Sequence, residues 1–202
     1  MHHWTRRAYN NHHHFACAAF AEIKLYEGRG RDAFEIVDGD FPQARRALKF
    51  AMEILHLAAR QRRSRSAIMA AAEEARPAER ARLLRVAERD ARWLRRAPPD
   101  LAKAWGAVAE AGIWAVRGDR ARAAAALEEA IALLDAVPDR LAAACARLRL
   151  GVLLGSEDEK GRALTEAGEA FMREQGIVDP HRIAAALVPG ITSSSGIAAK
   201  AS

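Results

Sequence analysis

Apolar residues recur along this chain at intervals of three and four, interrupted by short clusters of Gly, Pro and Asp, and that pattern predicts helices throughout. Phe15, Ala18, Ala19, Ile23 and Tyr26 mark a first helix. Gly28 and Gly30 break it and Asp32 resumes it, giving a helical hairpin over residues 4–37. Asp38, Gly39, Asp40 and Pro42 read as a turn. A long helix is expected over 43–74 with Leu48, Met52, Leu55 and Ala59 along one face. Arg76-Pro77 punctuates it, with Pro77 in the first turn of the next helix. That helix reaches about Arg96 and turns Leu83, Leu84, Ala87, Ala91 and Leu94 inward.

After Pro98-Pro99-Asp100, helices are expected over 101–116 and 120–137 around a Gly118-Asp119 turn, with Pro138-Asp139 as the stop. Two more follow over 140–154 and 160–175, Gly176 reads as a C-cap, and Asp179-Pro180 opens a short helix to Leu187. Residues 12–190 thus form one helical repeat domain, after an atypical, poorly ordered start over 1–11 and before a Ser-, Gly- and Ala-rich tail over 191–202 that should be disordered.

The hairpins share a register. Tetratricopeptide repeats place small residues where paired helices cross and larger apolar ones in the gaps. Ala111, Trp114, Gly118, Ala123, Leu127 and Ala130 fall at the small, aromatic, turn-glycine, small, large and small positions of such a repeat. In the following hairpin Leu150-Gly151, Leu154, Ala163 and Ala170 match them, with Ala167 where a larger residue is usual. Gly151 and Ala163 are separated by the same interval as Ala111 and Ala123, and Ala21 and Ala33 repeat it around Gly28. The step from Ala111 to Gly151 gives a period of about 40 rather than the roughly 34 of the standard repeat. The expected fold is all-α, with antiparallel helical hairpins stacked as a tetratricopeptide-like superhelix.

Composition agrees. Half of the 202 residues are hydrophobic, but aromatics make up only 6%, so alanine carries much of the interior and each alanine buries little. Close helix–helix approach must compensate. The net charge is +6, supplied almost wholly by arginine, with acids interleaved. Arg60, Arg62, Arg63 and Arg65 form the densest basic run and the best candidate for a polyanion or nucleic acid, by phosphate neutralisation. No aromatic residues are interleaved with them to stack bases, so a solvated basic helix face is the competing expectation. Cys17 and Cys145 stand far apart without a paired motif, as expected of reduced thiols in a cytoplasm. No apolar run approaches the roughly 20 residues a membrane span needs.

Candidate chemistry is sparse. His2, His3, His12, His13 and His14 could take up a transition metal, but consecutive histidines on a helix point in different directions, and no metal site is assigned. His56 and His181 are lone histidines, expected to pack or to contact a helix end. Glu128-Glu129 and Glu157, Asp158 and Glu159 are adjacent surface acids without the burial that acid–base catalysis requires. Trp93, Trp105 and Trp114 fall at core-like positions and are expected to anchor helix packing. No catalytic residue and no cofactor site is expected.

The order of segments resembles the C-terminal region of large multidomain bacterial serine/threonine protein kinases. The stretches that carry the likeness are HHHFACAAFAEIKLYEGRGRDAF, EILHLAARQRRSRSAIMAAA, LLRVAERDARWLRR, the Gly118-Asp119 hairpin and LRLGVLLGSEDEKGRALTEAGEAFMREQGIVDPHRIAAALVPG. In that family a kinase domain and an ATPase module precede a tetratricopeptide-like tail. This chain has neither the kinase motifs nor a phosphate-binding GxxxxGK[ST] loop. The resemblance therefore implies a non-catalytic interaction or regulatory module whose partner is a protein. Residues projecting from the first helix of each pair, Lys103, Glu110 and Arg147, are the expected recognition surface.

Overall fold

Alanine, leucine, arginine and glutamate enter helices at little conformational cost. In the computed structural model, which describes residues 11–48 and 53–191, the chain follows that preference almost without interruption. Nine helices lie among the described residues: α1 (Asn11–Tyr26), α2 (Gly30–Leu48), α3 (Glu53–Glu73), α4 (Pro77–Arg96), α5 (Asp100–Val116), α6 (Arg120–Asp135), α7 (Arg140–Leu154), α8 (Glu159–Glu174) and α9 (Pro180–Leu187). The expectations for residues 1–10 and 192–202, including His2 and His3, lie outside the described residues.

Local chemistry sets most boundaries. Asp119, Asp139, Asp158 and Asp179 each stand at an N-cap and accept a hydrogen bond from the backbone N–H three residues on, at Arg122, Ala142, Gly161 and Arg182. Each bond satisfies a donor that the first turn of a helix otherwise leaves open. Gly28, Gly118 and Gly176 end α1, α5 and α8 with φ of 75°, 81° and 77°, a backbone region that glycine enters without penalty.

The N-terminal half departs from the expected boundaries. The turn expected at Asp38–Pro42 is helical, and α2 runs straight through it with Pro42 inside. Phe34, Val37, Phe41 and Ala44 are all buried and share one helical face. Burying two aromatic rings outweighs the hydrogen bond that Pro42 removes. The helix expected over 43–74 is correspondingly two elements, α2 to Leu48 and α3 from Glu53. On α1 the stripe of Phe15, Phe20, Ile23 and Tyr26 is exposed, whereas His14, Ala21 and Leu25 turn inward. The narrower residues face the neighbouring helices, which allows a closer approach.

Each helix from α1 to α8 packs against the next, and odd-numbered helices also pack on one another: α1 on α3, α3 on α5 and α7 on α9. One apolar core extends from α5 to the segment after α9, around Ala111, Leu127, Leu134, Leu148 and Met172. A second joins α2 to α5 around Phe34, Ile68, Leu83 and Ile113. A small cluster of Leu25, Ala33, Met69 and Ala186 joins the first three helices to the last.

Glycines mark the tightest crossings. A Cβ on Gly151 would come within 2.2 Å of Thr165 Oγ1 and 2.5 Å of the Gly161 carbonyl, and one on Gly168 within 2.7 Å of the Ala144 carbonyl. Ala111, Ala123, Leu127 and Ala130 are fully buried in the α5–α6 hairpin. Ala163 corrects the register of the next hairpin, because it is exposed. The α7–α8 crossing is made by Gly161, Thr165 and Gly168, since only a residue without a side chain, or one that hydrogen-bonds back to its own helix as Thr165 does to Gly161, fits at that separation.

Gly151→Ala should therefore destabilise the fold by roughly 1–3 kcal/mol through overpacking, while Ala163→Gln should stay within about 0.5 kcal/mol as a surface change. Urea unfolding of the two variants checks both, and equal effects would contradict the crossing described.

Candidate functional site

The basic run on α3 does not form a surface. Arg63 and Arg65 are buried and Arg60 and Arg62 largely covered, because each guanidinium meets an acid or a carbonyl from a different helix. Arg63 Nε and Nη2 donate to the two oxygens of Asp90 at 2.7 and 2.8 Å, and Arg60 Nη1 donates to Asp90 Oδ1 at 2.7 Å. Asp90 on α4 is fully buried. The Arg63 guanidinium carbon lies 3.4 Å from the Phe41 ring centroid, and that of Arg60 lies 4.3 Å from the Trp93 centroid, adding cation–π contacts. Arg62 Nε donates to Glu22 at 3.1 Å. Arg65 shares Glu22 and also donates through Nη1 to the Ala186 carbonyl at 3.1 Å. Burial pushes the Arg60 and Arg65 guanidinium pKa values down. The expectation of a polyanion patch, and the competing one of a solvated basic face, both give way to an internal charge network.

The three residues expected to form a recognition surface do not come together. Lys103 is engaged by Asp100 at 2.7 Å on the exposed first turn of α5. Glu110 lines a shallow pocket of about 290 Å³ between α4 and α5, with Glu88, Ala91, Ile113 and Trp114. Burial raises the Glu110 pKa against the opposing pull of Arg95, 3.6 Å away. Arg147 lies in a separate and larger open groove.

That groove, about 500 Å³, runs between the end of α6, the first half of α7 and α8. Its floor is apolar, with Leu134, Ala143 and Ala144 buried and Val137, Ala167 and Phe171 beside them. Arg147 is chelated by Asp135, with Nη2 at 2.7 and 2.6 Å from its two oxygens. The Arg140 guanidinium covers the Phe171 ring at 4.9 Å. An apolar floor with a few fixed charges on its rim is the form that peptide and small-ligand sites take. Sequence reading identified Arg147 but not Asp135, Arg140 or Phe171. Ala167, singled out because a larger residue is usual there, is the local signal: its small side chain opens the groove.

The tryptophans divide. Trp105 packs beside Leu57, Leu94 and Ala102 and donates to Asp139 at 3.4 Å. Trp114 packs against the main core under Arg117 and Arg122. Trp93 is exposed and covered on one face by Arg60, which corrects its expected place in the core. No group of three or more His, Cys, Asp or Glu suited to a metal occurs among the described residues. His14 instead lies with Nδ1 3.3 Å from Asp40. His181, on α9, contacts Glu169 of α8 at 2.7 Å. No helix among the described residues is long and apolar enough to cross a membrane.

No protein-family model matches the chain, and no curated protein or solved structure matches it either.

Asp90→Ala would leave two guanidinium groups without their acid and should cost about 3–5 kcal/mol; a cost below about 0.5 kcal/mol, measured by urea unfolding, would return Arg60 and Arg63 to the surface. Cys145 is buried, and burial pushes its thiol up to about 12. Thiol titration of the native protein at neutral pH should therefore detect at most Cys17, with Cys145 reacting only after unfolding.

Proposed function

We propose that this chain is a non-catalytic protein-interaction and regulatory module, a tetratricopeptide-like stack of hairpins that works with the bacterial serine/threonine kinase machinery whose C-terminal tail it resembles. The observation that carries this reading is the open groove between α6, α7 and α8, with its apolar floor and its Arg140, Arg147 and Asp135 rim. Stacked hairpins offer such grooves to peptides or neighbouring domains without chemistry of their own. The packing of α1 on α3 and of α3 on α5, with α2 and α4 between them, is consistent with a superhelical arrangement over the first five helices. A cytoplasmic location follows from the same reading.

In this reading the kinase and ATPase chemistry belongs to the partner, and the module contributes a docking face. Arg147 is held by Asp135, so its position is set before a partner arrives and less side-chain entropy is lost on binding. Phe171 supplies the large apolar anchor of the kind that dominates interface energies.

Titration calorimetry of the purified chain with the kinase–ATPase polypeptide of the same genome tests the proposal. Association is expected, weakened at least tenfold, or about 1.4 kcal/mol, by Phe171→Ala and by Arg147→Glu. Binding that is absent, or indifferent to both substitutions, would overturn it. With ATP and magnesium the isolated chain should show no turnover.

A further inference from the structure

Helix α9 and the residues after it do not continue the stack. Every helix from α2 to α8 packs on its predecessor as one arm of a pair. Although α9 follows α8, it packs more extensively on α7 and also reaches α1. Its Ala186 shares a cluster with Leu25 of α1, Ala33 of α2 and Met69 of α3. The segment beyond it reaches α5, where a Cβ on Gly112 would meet the Pro189 carbonyl at 2.6 Å and one on Gly190 the Gly112 carbonyl at 2.7 Å. Pro180–Ile191 therefore lies against the face formed jointly by α1, α3, α5 and α7, which is the face that stacked hairpins use to receive a ligand.

The contacts are those of a receptor with a peptide. Two buried arginines, from α3 and α7, address main-chain oxygens of the segment. Arg65 Nη1 donates to the Ala186 carbonyl at 3.1 Å, Arg149 Nε donates to the Val188 carbonyl at 3.1 Å, and Arg149 Nη2 donates to that of Ile191. Among the described residues no acid lies within ion-pair distance of Arg149. Its charge meets the carbonyl-rich C-terminal end of α9, where the helix dipole is negative. Ala184, Ala186, Val188 and Ile191 are buried as small or medium apolar contacts. Recognition thus rests on main-chain oxygens and small side chains, which many sequences can present.

The attachment also suits a ligand. Gly176, with φ of 77°, and the almost wholly exposed Val178 (97%) lie in the short link between α8 and α9. An eight-residue helix is too short to hold itself together in water, so α9 is ordered by the face that it covers.

We propose that the joint face of α1, α3, α5 and α7 is a peptide-binding surface clamped by Arg65 and Arg149, that its partner is a short helix of small residues followed by an extended apolar segment, and that Pro180–Ile191 occupies it in cis as an exchangeable ligand. This goes beyond the function proposed above, because it concerns a different surface from the α6–α8 groove, and either can fail without the other.

Two experiments on the full-length chain test it. First, hydrogen exchange followed by mass spectrometry should show the amides of residues 181–191 exchanging at least tenfold faster than those in the middle of α5 and α7, by an opening that leaves the stack folded. Exchange of all three regions at one common rate would make the segment an integral part of the core and overturn the proposal. Second, Ala184→Asp should release the segment, and a dye-labelled synthetic peptide of residues 178–191 should then bind the variant and be competed by its unlabelled form. Adding Arg149→Ala should weaken that binding at least tenfold. A folded Ala184→Asp variant that ignores the peptide would overturn the proposal, as would binding indifferent to Arg149. If Ala184→Asp does not fold, the exchange rates of the unaltered chain decide.

Discussion

An alanine side chain holds two helices together only if their axes come close, and that constraint governs the whole molecule. Close approach needs glycine or alanine at the crossing, as at Gly151, Gly161 and Gly168, where a single added carbon would collide with backbone. It also limits the apolar area that each residue can contribute. Interior arginines fill the volume that larger hydrophobic side chains would otherwise occupy. Each brings a long aliphatic stem to pack and a planar head that reaches an acid or carbonyl on another helix. The Arg60–Arg63–Asp90 cluster and the Arg65 and Arg149 clamps are this solution repeated in different parts of the stack.

Buried charge specifies as well as holds. A guanidinium that has left water must find its partner, so a hairpin shifted by one turn would strand Arg63 away from Asp90 at a cost of several kcal/mol. Apolar contacts between alanines tolerate such shifts far better. Where helices meet through alanine, the polar pairs set the register that the apolar contacts leave loose.

The C-terminal helices were legible because their signals are local. An Asp cap, a Pro or a left-handed Gly stands at nearly every end from α5 onward, and each acts on its own neighbours in sequence. The failures share the opposite property. Asp38–Pro42 has turn chemistry, yet α2 continues because Phe34 and Phe41 are buried by other helices. The arginines of α3 look like a surface because Asp90 and Glu22 lie 27 to 43 residues away in the chain. Nothing local marked Arg149, Asp135 or Phe171 as contact residues, and only the fold brings them to their partners. The Arg147 groove was half legible, from the small Ala167 in a position where bulk is usual.

The bond from Arg65 to Ala186 spans 121 residues. Stacked repeats ordinarily assemble by neighbour contacts and fray from their ends, because no unit depends on a distant one. Here the closing contact joins the third helix to the ninth, and α9 also touches the first. Synthesis supplies Leu25, Arg65 and Arg149 well before the residues that cover them. The earlier hairpins therefore emerge with their common face open, and that face is covered only when the last helix arrives.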